Sequence, residues 1–175
     1  MIFKALFGRK DKNPGDVDIG GTKDLLTVSR KLAASPERAF AVFVDEIDRW
    51  WPRERTWAKD NLAAMVVEPR YKGRCFERSK DGAIAMWGTV LAFDRPQHIV
   101  FSWQIEPDGR PTENEGASSR VDVRFAAGEP GECNLLIVHR DFFRHGEGWE
   151  KYREEMAARS GWPMLVEAYV KALAG

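Results

Sequence analysis

The residues of this 175-residue chain that could do chemistry are few and widely spaced. The chain has three histidines (His98, His139 and His145) and two cysteines (Cys75 and Cys133). Structural zinc sites need Cys and His ligands at short, defined spacings, so we predict no zinc or iron site and no cofactor. The chain also lacks a GxGxxG motif, a phosphate loop and a serine nucleophile elbow. His98 and His145 lie beside turns, and we expect both to be exposed.

His139 is the polar residue that could act on a ligand. In a regular strand it shares an apolar face with Cys133, Leu135 and Ile137, and Asp141 follows on the same face. His139 would then point inward, as a hydrogen-bond donor or general base that Asp141 could orient. The alternative is a core histidine whose ring nitrogens are satisfied by neighbours. The sequence identifies no second catalytic residue.

Large aromatic side chains are the second notable feature, with seven tryptophans and ten phenylalanines. Trp87 and Trp103 lie in the two arms of a predicted hairpin, and Phe101 shares the face of Trp103. These side chains either fill a core or line a cavity that a ligand fills. Trp57, in the polar loop 53–61, is a candidate lid residue.

Charge and composition exclude several classes of partner. The chain has 27 Lys and Arg against 27 Asp and Glu, so its net charge is zero. A balanced charge gives no reason to expect nucleic acid. No stretch approaches the roughly 20 apolar residues of a membrane span. We interpret both cysteines as buried, reduced thiols, which predicts a cytoplasmic protein.

Hydrophobic periodicity predicts the order of the elements. A strand over 24–32 precedes a helical region that Ser35 caps and Pro36 begins, with a break near Asp45 that gives two short helices. Strand patterns follow, including an alternating Arg120–Phe125, and Arg74 and Glu77 have opposite strand parity, so one of them should point inward. Apolar residues then recur at helical spacing from Trp162 to Leu173. We expect a flexible arm over 1–23 and one domain over 24–175.

Five segments together resemble the START-like (SRPBCC) superfamily, and within it bacterial relatives of the C-terminal domain of the activator of heat-shock protein 90 ATPase. They are SPERAFAVFVDEIDRWWP (35–52), the stretch 68–105 with WGTV and FSW, SSRVDVRF (118–125), VHRDFFRHGE (138–147) and SGWPMLVEAYVKAL (160–173). The resemblance implies an α+β helix-grip fold. In that fold a curved antiparallel sheet of about six to seven strands wraps around a long C-terminal helix. It also implies that the loops 53–61 and 107–118 flank a cavity mouth.

The resemblance supports three functional hypotheses. The first is binding of a small hydrophobic molecule between the sheet and the helix. The second is a protein-interaction module that acts on a heat-shock protein 90 homologue, although the chain lacks the activator's separate N-terminal domain. The third is a cyclase- or dehydratase-type enzyme that uses His139. The predicted ligand-binding residues are Trp51, Trp57, Trp87, Phe101, Trp103, His139, Phe143, Trp162, Val166 and Tyr169.

Overall fold

The computed structural model describes residues 16–175, and its sheet contains eight antiparallel strands. The strands are β1 (Asp18–Thr22), β2 (Leu25–Leu32), β3 (Leu62–Val67), β4 (Arg74–Ser79), β5 (Ile84–Asp94), β6 (His98–Trp103), β7 (Ser119–Ala127) and β8 (Cys133–Arg140). Their order across the sheet is β1-β2-β8-β7-β6-β5-β4-β3. Strands β3 to β8 are sequential neighbours. The first long strand, β2, pairs with the last, β8.

Within residues 16–175, four α-helices pack on this sheet: α1 (Pro36–Val44), α2 (Ile47–Trp50), α3 (Trp149–Ala157) and α4 (Trp162–Ala174). As predicted, Ser35 caps α1, because its side chain accepts a hydrogen bond from the backbone N–H of Arg38. Helix α1 ends at Asp45, which confirms the predicted break between two short helices. Short 3-10 helices span Arg53–Arg55, Lys59–Asn61, Glu115–Ala117 and Phe142–His145.

Strand β1 corrects the predicted boundary of the N-terminal arm. Residues 18–22 pair in register with β2, so the sheet begins within the segment 1–23 that the sequence analysis assigned to a flexible arm. Gly21 in β1 has a φ of 120°, and a Cβ there would lie 2.3 Å from the carbonyl oxygen of Leu25, so this position in the strand requires glycine. The rest of the predicted arm, 1–15, lies outside the described residues. The additional strand also raises the count above the predicted six to seven.

Strand β5 departs from regular alternation, and this changes which side chains reach the core. The register of β5 against β6 shifts between Val90 and Ala92, and that against β4 shifts at Cys75 and Phe76. Val90 therefore faces the core. Regular alternation would place Thr89 on the face of Trp87, but its hydroxyl donates to Gln104 on the opposite side of the sheet. Such bulges bend a strand and increase its twist.

The core lies between the concave face of the sheet and helices α1 and α4. Trp162, Leu165, Val166 and Tyr169 are the buried stripe of α4, as the periodicity predicts. The hydroxyl of Tyr169 donates to the carbonyl of Ala39 over 2.8 Å, which joins α4 to α1. Both cysteines are free and buried, as predicted. None of the helices between residues 16 and 175 is long and apolar enough to cross a membrane.

Candidate ligand-binding site

A cavity of about 460 Å³ opens between the concave side of the sheet and helices α3 and α4. Four tryptophans from separate parts of the chain form much of its wall: Trp51, Trp57, Trp87 and Trp103. The rest of the apolar wall comes from Met65, Ile105, Met156, Met164 and Leu165. Flexible methionine side chains adapt to irregular shapes, which suits the wall of a binding cavity.

These four tryptophans are the members of the predicted set that the fold brings together at the cavity. Phe101, Trp162, Val166 and Tyr169 are buried in the core and do not line the cavity. Sequence reasoning missed the contribution of α3, which supplies Tyr152, Glu155 and Met156. The helical spacing of Tyr152 and Met156 was visible in the sequence, but the side of the fold on which α3 packs was not.

Two of the tryptophans form what we call the stacked indole pair, Trp51 and Trp87. Their rings are nearly parallel, at 17°, with centroids 5.7 Å apart. The Nε1 atom of each ring is shielded from solvent and has no hydrogen-bond partner. The pair therefore presents ring surface to the cavity rather than N–H donors. In contrast, Nε1 of Trp103 donates to the hydroxyl of Tyr152 over 2.8 Å.

The cavity mouth is formed by the two loops that the resemblance implied. Trp57 extends from the first loop and donates its indole N–H to the carbonyl of Gly109 in the second, over 2.7 Å. Behind it, the buried carboxylate of Glu77 accepts hydrogen bonds from the backbone N–H groups of Trp57 (3.0 Å) and Ala58 (2.6 Å). Glu77 is thus the charged strand residue that points inward, while Arg74 pairs with Glu68 at the surface.

His139 is sealed in the core and does not line the cavity. It is fully buried, and both ring nitrogens have protein partners. Nδ1 accepts a hydrogen bond from the indole N–H of Trp162 over 3.1 Å. The indole can only donate, so the proton of His139 must lie on Nε2, which faces Oγ of Ser119 at 2.7 Å. The predicted alternative, a core histidine satisfied by its neighbours, describes this arrangement.

The hydrogen-bonded series continues from His139 through Ser119 to His145. We call the four residues of this series the buried polar chain (Trp162, His139, Ser119 and His145). Nε2 of His145 lies 3.2 Å from the backbone N–H of Ser119 and 2.7 Å from its Oγ. The backbone N–H can only donate, so Nε2 is the acceptor and the proton lies on Nδ1. Nδ1 lies 3.5 Å from Oε2 of Glu106, a long contact.

Both histidines are held neutral by this arrangement. Burial lowers the pKa of His139 well below its ordinary value, and the neighbouring His145 lowers it further. Burial also lowers the pKa of His145, and Glu106 opposes part of that decrease. His145 was expected to be exposed, but its side chain is fully buried. His145 packs against Ser119, the first residue of β7, and a turn motif in the sequence does not reveal this contact.

The end of strand β8 explains two further errors of prediction. Asp141 has a φ of 64°, so strand alternation stops at Arg140. Asp141 consequently does not orient His139 and instead lies near the guanidinium groups of Arg120 (3.7 Å) and Arg144 (3.9 Å). The same change of direction buries Phe142 and leaves Phe143, a predicted ligand-binding residue, 57% exposed.

Comparison with known families matches residues 33–174 to the family described as Activator of Hsp90 ATPase homolog 1-like protein. The chain belongs to this family. The match includes all four α-helices and every strand from β3 onward. It therefore contains the entire cavity wall described above.

The similarity of this chain to solved structures shows the fold alone, because the sequence identities are low. An anthrahydroquino-γ-pyrone synthase, Txn09, has 23% identity and a TM-score of 0.61, over 87% of this chain and 99% of its own. The self-sacrificing resistance protein CalC from Micromonospora echinospora has 20% identity and a TM-score of 0.60, over 92% and 96%. Protein NE0264 from Nitrosomonas europaea has 14% identity and a TM-score of 0.62, over 89% and 97%. No curated protein matches the chain.

Proposed function

We propose that this protein binds a small hydrophobic molecule in the cavity between the sheet and helix α4. The observation that carries the proposal is a cavity of about 460 Å³ whose wall includes four tryptophans. This volume lies within the range of about 300–1,000 Å³ typical of small-molecule sites. Trp87 and Trp103 fill part of the core and also line the cavity, so both interpretations of these residues apply.

Three features of the site support binding over a filled core. The apolar wall would supply affinity through burial, at about 25 cal/mol per Å² of apolar surface. The fold is one that typically binds ligands, and it is shared with a pyrone synthase and a resistance protein. Trp57 joins the two mouth loops through a single side-chain hydrogen bond to Gly109, which suits a side chain that opens to admit a ligand.

The first experiment is native mass spectrometry of the purified protein, followed by the denatured spectrum. We expect a defined additional mass that is lost on denaturation. The second is titration with the neutral fluorescent probe N-phenyl-1-naphthylamine. We expect saturable fluorescence enhancement, and we expect Met164→Trp, which fills the cavity, to abolish it.

The matched control is Lys171→Trp, which adds the same ring to the exposed side of the same helix. It should bind the probe as the unmodified protein does. If the unmodified protein carries no additional mass and does not bind the probe, the proposal is wrong.

The sequence analysis also gave two alternative functions, an enzyme that uses His139 and a module that acts on a heat-shock protein 90 homologue. His139 has no contact with the cavity and no free ring nitrogen, so its geometry does not favour a role as catalytic acid or base. Action on a heat-shock protein 90 homologue stays a prediction that rests on the family's description. A rise in ATP turnover by the homologue on addition of this protein would support it. A cytoplasmic location likewise stays a prediction.

A further inference from the structure

The wall of the cavity carries more negative than positive charge. It contains three carboxylates (Glu77, Glu106 and Glu155) and one guanidinium, that of Arg55. Glu155 has its own counter-ion, because Nζ of Lys151 lies 3.6 Å from it one helical turn away. Within the described residues, no Lys or Arg nitrogen lies within 4.0 Å of the carboxylates of Glu77 or Glu106.

These two carboxylates are not exposed surface charges. Glu77 is 3% exposed, and its oxygens accept only from two backbone N–H groups of the mouth loop. The side chain of Glu106 is 26% exposed and faces a histidine that the buried polar chain holds neutral. A carboxylate removed from water is costly unless a positive charge or sufficient donors compensate it. An occupant of the cavity could supply that charge.

Two of the four indole N–H groups of the wall are already used within the protein. The indole N–H of Trp57 donates to Gly109, and that of Trp103 donates to Tyr152. The hydroxyl of Tyr152 in turn donates to the carbonyl of Ile105 over 2.9 Å. The stacked indole pair keeps its N–H groups away from solvent. The cavity therefore offers carboxylate acceptors and aromatic faces to a ligand that brings donors of its own.

Arg55 carries the positive charge of the cavity wall, and it lies at the rim. Its side chain is exposed, and its guanidinium donates to the carbonyl of Ser160 over 2.8 Å in the connection between α3 and α4. This contact ties the guanidinium to the exposed connection between the two helices. Glu77 and Glu106 are less exposed than Arg55.

From this distribution we infer that the preferred ligand carries a protonated amine on an apolar body. The inference rests on the proposed function and specifies its ligand class. The amine brings a positive charge to Glu77 and Glu106, together with N–H donors that these carboxylates can accept. Indole faces also attract cations, so the four tryptophans favour an organic cation over a neutral molecule of the same shape.

The test uses three probes that share one apolar body and differ in charge: 1-naphthylmethylamine, 1-naphthylmethanol and 1-naphthoate. Their affinities are measured by isothermal titration calorimetry at pH 7 with the full chain. We expect the amine to bind about tenfold more tightly than the alcohol, which corresponds to an ion pair or cation–π contact. We expect the naphthoate to bind most weakly.

Variants assign the preference to particular residues. Glu106→Gln should reduce amine affinity severalfold and leave alcohol affinity unchanged, whereas Arg55→Gln should increase amine affinity. Glu77→Gln should act as Glu106→Gln does, but because Glu77 also holds the mouth loop, Glu106→Gln is the principal variant. Glu129→Gln, an exposed charge in the turn between β7 and β8, is the control for a change in net charge alone and should alter nothing.

The outcomes separate this inference from the proposed function. If the alcohol or the naphthoate binds as tightly as the amine, the ligand class is wrong while binding in the cavity stands. The same conclusion follows if the amine fails to bind and N-phenyl-1-naphthylamine binds. If none of the probes binds, the proposed function itself fails.

Discussion

The indole N–H of Trp162 donates a hydrogen bond to Nδ1 of His139 over 3.1 Å and joins the first turn of α4 to strand β8. This contact sets the direction of every hydrogen bond in the buried polar chain, because an indole can only donate. His139 then donates to Ser119, and Ser119 donates to His145. The result is a polar connection through an otherwise apolar core.

The first prediction concerns pH. Both histidines have a lowered pKa in the folded protein because they are buried, whereas in the unfolded chain their pKa lies near 6.5. Below about pH 6.5 the unfolded chain therefore binds protons that the folded protein does not. The free energy of unfolding should fall with decreasing pH, by up to about 1.4 kcal/mol per pH unit for each histidine.

Urea unfolding between pH 7.0 and pH 5.5 measures this slope. His139→Asn should make the slope shallower, whatever it does to the stability at neutral pH. His98→Asn is the control, since His98 lies outside the buried polar chain and contacts Asp122 instead. An unchanged slope in the His139 variant would contradict the assignment.

The second prediction concerns Ser119, whose hydroxyl lies 2.7 Å from both histidines. Ser119→Ala leaves the Nε2–H of His139 without an acceptor in the core. An unpaired buried donor costs about 1–3 kcal/mol, so the free energy of unfolding should fall by that amount. Ser118→Ala is a matched control, because this buried neighbour donates only to the carbonyl of Asn114 and should cost less. Equal losses in denaturant unfolding would argue against the buried polar chain.

The third prediction compares two tryptophans with almost equal burial. Trp87 has an Nε1 without a partner, whereas Nε1 of Trp103 donates to Tyr152. Replacement by Phe removes similar ring area from both. Trp103→Phe also breaks a hydrogen bond, so it should destabilise the fold by about 1 kcal/mol more than Trp87→Phe. Chemical unfolding of the two variants side by side tests this order, and the reverse order would refute it.

The fourth prediction concerns the mouth. Trp57→Phe keeps an aromatic ring over the cavity but loses the hydrogen bond to Gly109. A net hydrogen bond contributes about 0.5–1.5 kcal/mol, so dissociation of N-phenyl-1-naphthylamine should accelerate by about threefold to tenfold in stopped-flow measurements. Trp149→Phe, at a tryptophan that does not line the cavity, should leave the rate unchanged. If both variants behave alike, Trp57 does not close the mouth.

Much of the fold could be predicted because its signals are local. The cap at Ser35, the break at Asp45 and the apolar stripe of α4 each depend on residues within a few positions of one another. The family resemblance supplied the sheet that connects these elements. Strand β1 was missed because DIGGT contains two glycines and carries little strand propensity of its own. The pairing of β1 with β2 compensates for this low strand propensity.

The candidate site was less predictable because it depends on departures from regular geometry. The bulges in β5 exchange the faces of Thr89 and Val90, and the left-handed backbone at Asp141 exchanges those of Phe142 and Phe143. Parity arguments fail at both positions. The four cavity tryptophans were among the predicted ligand-binding residues, but the carboxylates and methionines beside them in the wall depend on packing between distant segments.

The hydrogen bond between the two mouth loops has a consequence for which residues of this protein can be substituted. Trp57 is held by a backbone carbonyl at Gly109, and Glu77 holds backbone N–H groups at Trp57 and Ala58. Neither contact depends on a side chain of the second loop, but the φ of 83° at Gly109 favours glycine at that position. Side chains elsewhere in the second loop can therefore vary while the bond between the loops is retained, so substitutions there can alter the selectivity of the entrance.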